Sequence, residues 1–192
     1  MPPTTPEEAL DLLLAGNARF AEGRATGHDL AARREQVAEE QRPFAVVLSC
    51  SDSRVPSELV FDQTLGDLFV CRVAGNVLDP FVVGSIEYAV AHLSPLLVVV
   101  MGHERCGAVT AAVELVNGGG SPGGSIHAVV DALGSVLEPG MSVDEAVRVN
   151  ALAGARSLPE RSAIVRRAVE ADALDVVPAV YSLDSGRVEL LG

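Results

Sequence analysis

Three short runs rich in β-branched residues, Phe44–Ser49, Phe69–Val73 and Leu96–Met101, constrain this chain more than any other feature. None alternates apolar with polar positions, the pattern of strands buried on both faces. Helical signals lie between and after them. Asp79-Pro80 caps a helix running to about His92, and another begins near Cys106 and stops at Asn117-Gly118. Strands alternating with helices imply a parallel sheet with right-handed crossovers. The fold class read from the sequence is therefore α/β: a central, mostly parallel β-sheet flanked by helices, with an N-terminal helical arm and a C-terminal β-hairpin.

The arm is signalled by Thr5-Pro6-Glu7-Glu8, which combines an N-cap, a proline at the first helical position and a Glu three residues after the cap. Leu10, Leu13, Leu14 and Phe20 follow at helical spacing, so a helix is expected over Pro6 to Glu22. A second, mostly polar helical stretch covers Asp29 to Gln41 and ends at Pro43. Gly118–Gly124 reads as a flexible connector, because no strand leads into it and no Gly-Lys-Ser/Thr follows, as a phosphate loop requires. Beyond it, Ser142–Glu145 and Ser157–Glu160 both fit the capping-box pattern. Val176–Leu183 and Arg187–Leu191 flank Asp184-Ser-Gly186 as a hairpin, with Pro178 suited to an edge. A chain of 192 residues without internal repeats reads as one domain over 1–192. Within it, 1–42 is the arm, 43–117 the α/β core, and 118–192 a helical segment with the C-terminal strands.

Charge excludes one class of partner. All 14 basic residues are Arg, against 26 acidic ones, and the net charge of -12 argues against nucleic acid, whose phosphates reward a basic face. Aromatics make up 4% with no Trp, too few for a base-stacking platform. Three cysteines and an N-terminus lacking a basic and an apolar region point away from a secreted disulfide scaffold and toward the cytoplasm. The apolar runs are far shorter than the ~20 residues of a membrane span, so no membrane association is expected.

Two of the cysteines carry the chemistry. Cys50 directly follows the first strand run, and His103 and Cys106 directly follow the third. Ligands of open parallel sheets bind at the carboxyl ends of strands, so these three donors can converge. A Cys2His set suits zinc, with sulfur at about 2.3 Å and nitrogen at about 2.0 to 2.1 Å in a tetrahedron. The fourth corner is left for water or for Asp52. Two thiolates already cancel the dication, and Arg54 is placed to draw the Asp52 carboxylate away in a bidentate pair. Paired Cys-x-x-Cys knuckles, the mark of a structural zinc or a redox site, are absent. Cys71, inside a strand run, reads as a small buried hydrophobe. His28, His92 and His127 lack neighbouring donors and read as surface or packing residues.

With these residues in place, the sequence resembles the β-class carbonic anhydrases. The resemblance rests on Cys50-Ser-Asp-Ser-Arg-Val55, Phe69 with Arg72-Val-Ala-Gly-Asn76, Ser85–Val90 and Gly102-His-Glu-Arg-Cys-Gly-Ala-Val109, with weaker matches at Gly16–Phe20 and Val180–Val188. It implies zinc held by Cys50, His103 and Cys106, with Asp52 and Arg54 as a catalytic dyad, Asp52 ligating only in a closed state. It implies reversible hydration of carbon dioxide to bicarbonate, because zinc lowers the pKa of bound water toward ~7. It also implies a carbon dioxide pocket lined by Gln41, Phe69, Ala74 and Tyr88 at a dimer interface, and a homodimer or homotetramer with the Pro6–Glu22 helix on a partner subunit. Val73 stands where many relatives have Asn. The absence of Trp does not support the inhibitory bicarbonate site of a subset of relatives. Two rivals stay open on the sequence: a zinc hydrolase of carbonyl sulfide or carbon disulfide on the same fold, and a non-enzymatic, zinc-stabilised interaction domain closed by Asp52.

Overall fold

A computed structural model describes residues 2–192. In chain order its elements are α1 (Pro6–Ala21), α2 (Leu30–Gln36), β1 (Ala45–Ser49), α3 (Ser57–Val60), β2 (Leu68–Arg72) and a 3₁₀ turn (Ala74–Asn76). There follow α4 (Pro80–His92), β3 (Leu97–His103), α5 (Gly107–Val116), α6 (Ile126–Gly134), α7 (Val143–Arg161), α8 (Ala163–Glu170), β4 (Asp175–Tyr181) and β5 (Val188–Leu190). The five strands form one sheet in the order β2-β1-β3-β4-β5, parallel except for the last.

Both faces of β1 and β3 are covered, which is why their sequences do not alternate. On one side Val46, Leu48, Val98 and Val100 pack with Ile86 and Ala89 of α4, Leu158 of α7 and Val165 of α8. On the other, Ala45, Val47, Leu97, Val99 and Met101 pack with Ala9 and Leu13 of α1 and with Val60 and Phe61. Each fully buried Val or Leu stabilises by about 1.5–3 kcal/mol. The N-terminal helix thus covers its own protomer's sheet. Among the described residues, no helix is long and apolar enough to cross a membrane.

The strand order positions the site. From β1 the chain moves outward to β2, then returns past β1 to β3 and continues through β4. The connections leaving β1 and β3 therefore diverge, opening a crevice at the carboxyl ends of these two strands.

Four local expectations meet a different or sharper outcome. The second helix stops at Gln36 instead of reaching Gln41, because it buries none of its residues and has no packing to prolong it. Ser157 starts no helix: it lies inside α7, its hydroxyl donating to the Gly154 carbonyl, and Pro159 follows within the same helix. The break comes at Ser162, which ends α7 and caps α8 by accepting from the Val165 N–H. Ser142 does form its capping box with Glu145. Pro178 sits in the inner strand β4 rather than at the sheet edge. Its carbonyl faces β5 and accepts from Leu191 N–H at 2.9 Å. The missing N–H faces the same side, toward β5, so the ladder with β3 is intact.

Candidate metal centre

The crevice gathers the three soft donors. Cys50 follows β1, His103 ends β3, and Cys106 sits at the N-cap position of α5 after a tight turn in which Arg105 has φ 52°. Cys50 Sγ and Cys106 Sγ are 3.9 Å apart. One ligating atom from each of Cys50, His103 and Cys106 lies within 4.8 Å of the others, and all three residues are buried. Two sulfurs on bonds of about 2.3 Å at a tetrahedral angle stand about 3.8 Å apart, so the pair matches the span of one zinc ion.

His103 is oriented for the same purpose. Its Nδ1 lies 2.8 Å from the Glu104 carbonyl, which fixes the proton on Nδ1 and leaves the Nε2 lone pair free. Nε2 is buried without a hydrogen-bond partner among the described residues. A buried polar atom left unpaired is costly, and a metal at this point would satisfy it.

One thiol of the pair is poised to lose its proton. The hydrogen bond with Cys106 brings Cys50 down to about 4 against the opposing effect of burial, with His103 and the Gly75 N–H helping. Cys106 is pushed up by that same hydrogen bond and by burial. The pair holds one shared proton, which a metal would displace. Burial alone raises Cys71 to about 11, as fits a packing residue.

Asp52 and Arg54 stand beside this cluster. Arg54 donates Nε to Oδ1 at 2.9 Å, Nη2 to Oδ2 at 2.7 Å and its backbone N–H to Oδ1 at 2.9 Å. Asp52 Oδ2 is 3.9 Å from His103 Nε2. The Arg54 hydrogen bonds hold the Asp52 carboxyl well below the usual carboxylate range. The carboxylate is therefore engaged by the guanidinium and stands aside from the Cys2His cluster. Arg72, given no role by sequence reasoning, locks the loop by donating Nε to the Cys50 carbonyl at 3.1 Å and Nη2 to the Asp52 carbonyl at 2.6 Å. Its signal was a charged residue closing an otherwise apolar strand.

The four expected pocket residues are not gathered in the same way. Ala74 opens the 3₁₀ turn beside Cys50, and Phe69 and Tyr88 pair with ring centroids 6.4 Å apart. Gln41 and Tyr88 line a cleft of about 850 Å³ with Phe44, His92 and Leu96. Phe44 and Leu96 immediately precede β1 and β3, so this cleft opens at the amino ends of the strands, opposite the cysteines. Within one chain Gln41 does not reach the Cys2His cluster.

A mostly parallel α/β sheet with a soft-donor cluster at its switch point defines an α/β protein with a site that could hold a metal ion. The family model described as carbonic anhydrase matches residues 45–188. Carbonic anhydrase 2 of Mycobacterium tuberculosis (strain H37Rv) is 42% identical over 196 residues, covering 99% of this chain and 95% of that protein. The carbonic anhydrase of Mycolicibacterium smegmatis is 41% identical with the same coverages. Among solved structures, a tetrameric β-carbonic anhydrase of Sordaria macrospora superposes with TM-score 0.76 at 26% identity, covering 95% of this chain and 96% of that one. The Coccomyxa β-carbonic anhydrase in complex with acetazolamide gives 0.74 at 28% identity, with coverages of 95% and 86%. The chain belongs to the β-class carbonic anhydrase family.

Proposed function

We propose that Cys50, His103 and Cys106 hold zinc and that the chain catalyses the reversible hydration of carbon dioxide to bicarbonate and a proton. The observation that carries this reading is the orphaned, buried Nε2 of His103, aimed at the same point as two thiols 3.9 Å apart. Thiolate and imidazole donors favour zinc over harder cations. Zinc supplies a Lewis acid that makes water a nucleophile at neutral pH.

The remaining work falls to the chain. Asp52, ionised and gripped by Arg54, is an acceptor only: its oxygens can orient the hydrogen of an attacking water but cannot protonate it. Arg54 keeps that carboxylate from filling the fourth ligand position, so a substrate can approach. Gln41, Phe69, Ala74 and Tyr88 form the carbon dioxide pocket at an interface between two copies of the chain, with Gln41 reaching the metal centre of the neighbour. The separation of Gln41 from the cysteines within one protomer supports this arrangement, and the assembly is a homodimer or homotetramer. Two thiols that must stay reduced to bind metal favour the cytoplasm as its compartment.

Stopped-flow hydration assays on the zinc-loaded protein and on Cys106→Ser test the assignment. Wild type is expected to hydrate carbon dioxide from neutral to alkaline pH while the variant falls to the uncatalysed rate. Equal rates would overturn it.

A further inference from the structure

Asn150 is a buried polar side chain, 8% exposed, that the reaction above does not use. It lies on the inner face of α7, where two glycines let helix and strand approach closely. A Cβ on Gly102 would stand 2.9 Å from Val147 Cγ1, and one on Gly154 would stand 3.0 Å from Val100 Cγ1. These contacts bracket Asn150 and fix its place along β3. Its Nδ2 donates to the Gly75 carbonyl at 2.9 Å. Gly75 in turn donates its own N–H to Cys50 Sγ at 3.3 Å.

The turn between them has an uncommon backbone shape. Gly75 has φ 66° and Asn76, a non-glycine residue, has φ 45°, so two left-handed residues stand in succession. Glycine and asparagine enter this region most readily, and contacts from outside the turn fix them in it. Within the turn, the Asn76 N–H reaches the Val73 carbonyl at 3.0 Å. Asn150 holds the carbonyl end of the same Gly75–Asn76 peptide, and across the Gly75 dihedrals that clamp aims the Gly75 N–H at the sulfur.

We infer that Asn150 is a positioning residue of the metal centre: through the Gly75 peptides it keeps an N–H donor on the Cys50 thiolate and so tempers the charge this ligand gives the metal. The inference rests on the zinc reading above. An N–H bonded to a thiolate withdraws density from sulfur, and a poorer donor leaves the cation a stronger Lewis acid. Outer partners of metal ligands commonly contribute about 10- to 100-fold in metal affinity or activity.

Cobalt(II)-loaded protein reads this directly, because thiolate-to-cobalt charge transfer moves to longer wavelength as the sulfur becomes more electron-rich. Asn150→Leu and Asn150→Asp, each of similar volume but without the amide donor, are expected to red-shift the band and to lower hydration by about 10- to 100-fold. Ser142→Ala, which removes the cap of the same helix without touching the relay, leaves the band in place. A second reading needs no variant: in cadmium-loaded wild type, NMR is expected to resolve a scalar coupling between the metal nucleus and the Gly75 amide proton. A thiolate band in wild type that neither Asn150 variant moves, or no coupling to Gly75, overturns the inference alone. A wild type showing no thiolate charge-transfer band at all would overturn the zinc reading itself.

Discussion

The two ends of the same parallel strands are built on opposite plans. At the carboxyl ends, three ligating atoms converge within 4.8 Å, His103 is wholly buried, and Arg54 and Arg72 tie the 50–54 loop with five hydrogen bonds. At the amino ends, Gln41 and Tyr88 edge an open cleft, Tyr88 is 52% exposed, and the neighbouring α2 buries nothing. A metal centre demands short-range geometry, which the divergence of β1 and β3 supplies inside one chain. A pocket for a small neutral molecule demands walls, and Gln41 and Tyr88, the residues proposed for them at this end, lie on the surface of the single chain.

The largest expected effect breaks the carboxyl end. Metal at about 100 times its Kd stabilises the folded state by about 2.7 kcal/mol, so chelation should lower the wild-type melting temperature by roughly 5 to 10 °C at this chain length. Cys106→Ser, already without metal, should melt alike with and without chelator. A wild type indifferent to chelation would mean that this end is ordered for some reason other than a metal.

The amino end is tested by mixing. Gln41→Ala and Cys106→Ser are each expected to be impaired alone. If Gln41 serves its neighbour's metal, a dimer of one of each carries one intact site. Co-refolding equal amounts should then restore roughly a quarter of wild-type hydration. No recovery would place Gln41's role within its own protomer, or nowhere.

Why one end was legible in the sequence and the other was not follows from this contrast. Cys50, His103 and Cys106 each adjoin a strand whose burial on both faces is written in its own residues, so strand ends and donors could be located together. The 142–145 capping box was equally local. Gln41 was reachable only by resemblance, because nothing in its neighbours says what it faces. Ser157 misled because a capping pattern is necessary but not sufficient: α7 had already started at Ser142 and its buried face carried it through Pro159. The Asn150 relay spans 75 residues and turns on the close approach of α7 to β3. No short-range pattern announces it.

Asp62 measures how firmly the arm is anchored. Buried just after α3, it accepts from Arg19 Nε of α1 at 2.5 Å and from Thr26 N–H at 2.8 Å and Oγ1 at 3.0 Å, with His28 Nε2 3.7 Å away. Burial raises its pKa, but Arg19 and Thr26 together outweigh that and leave it lowered. A group with a lowered folded-state pKa contributes stability above its unfolded value, about 3.9, and loses it as pH falls through the folded value. Asp62→Asn should therefore cost about 1.5–3 kcal/mol at neutral pH. In denaturant titrations the gap to wild type should shrink as the pH drops below about 4. A gap that is constant across that range would show that shape, not charge, holds the arm.

The smallest effect belongs to the carboxyl end. There the loop after β4 is fastened to the metal-ligand turn by three contacts: Glu104 N–H to the Tyr181 carbonyl at 3.1 Å, Leu183 N–H to Glu104 Oε2 at 2.8 Å, and an ion pair between Arg105 and Asp184. The ion pair is bidentate, yet its side chains are 53% and 75% exposed, so solvent and salt screen it. Arg105→Ala should cost only about 0.2–1 kcal/mol, and high salt should do the same to wild type. Metal affinity should not change, because the two backbone-anchored bonds keep the turn in place without the arginine. Loss of metal in Arg105→Ala would make the turn's left-handed residue dependent on its side-chain tether, and the rigidity ascribed to this end would then rest on its surface rather than on the buried strands.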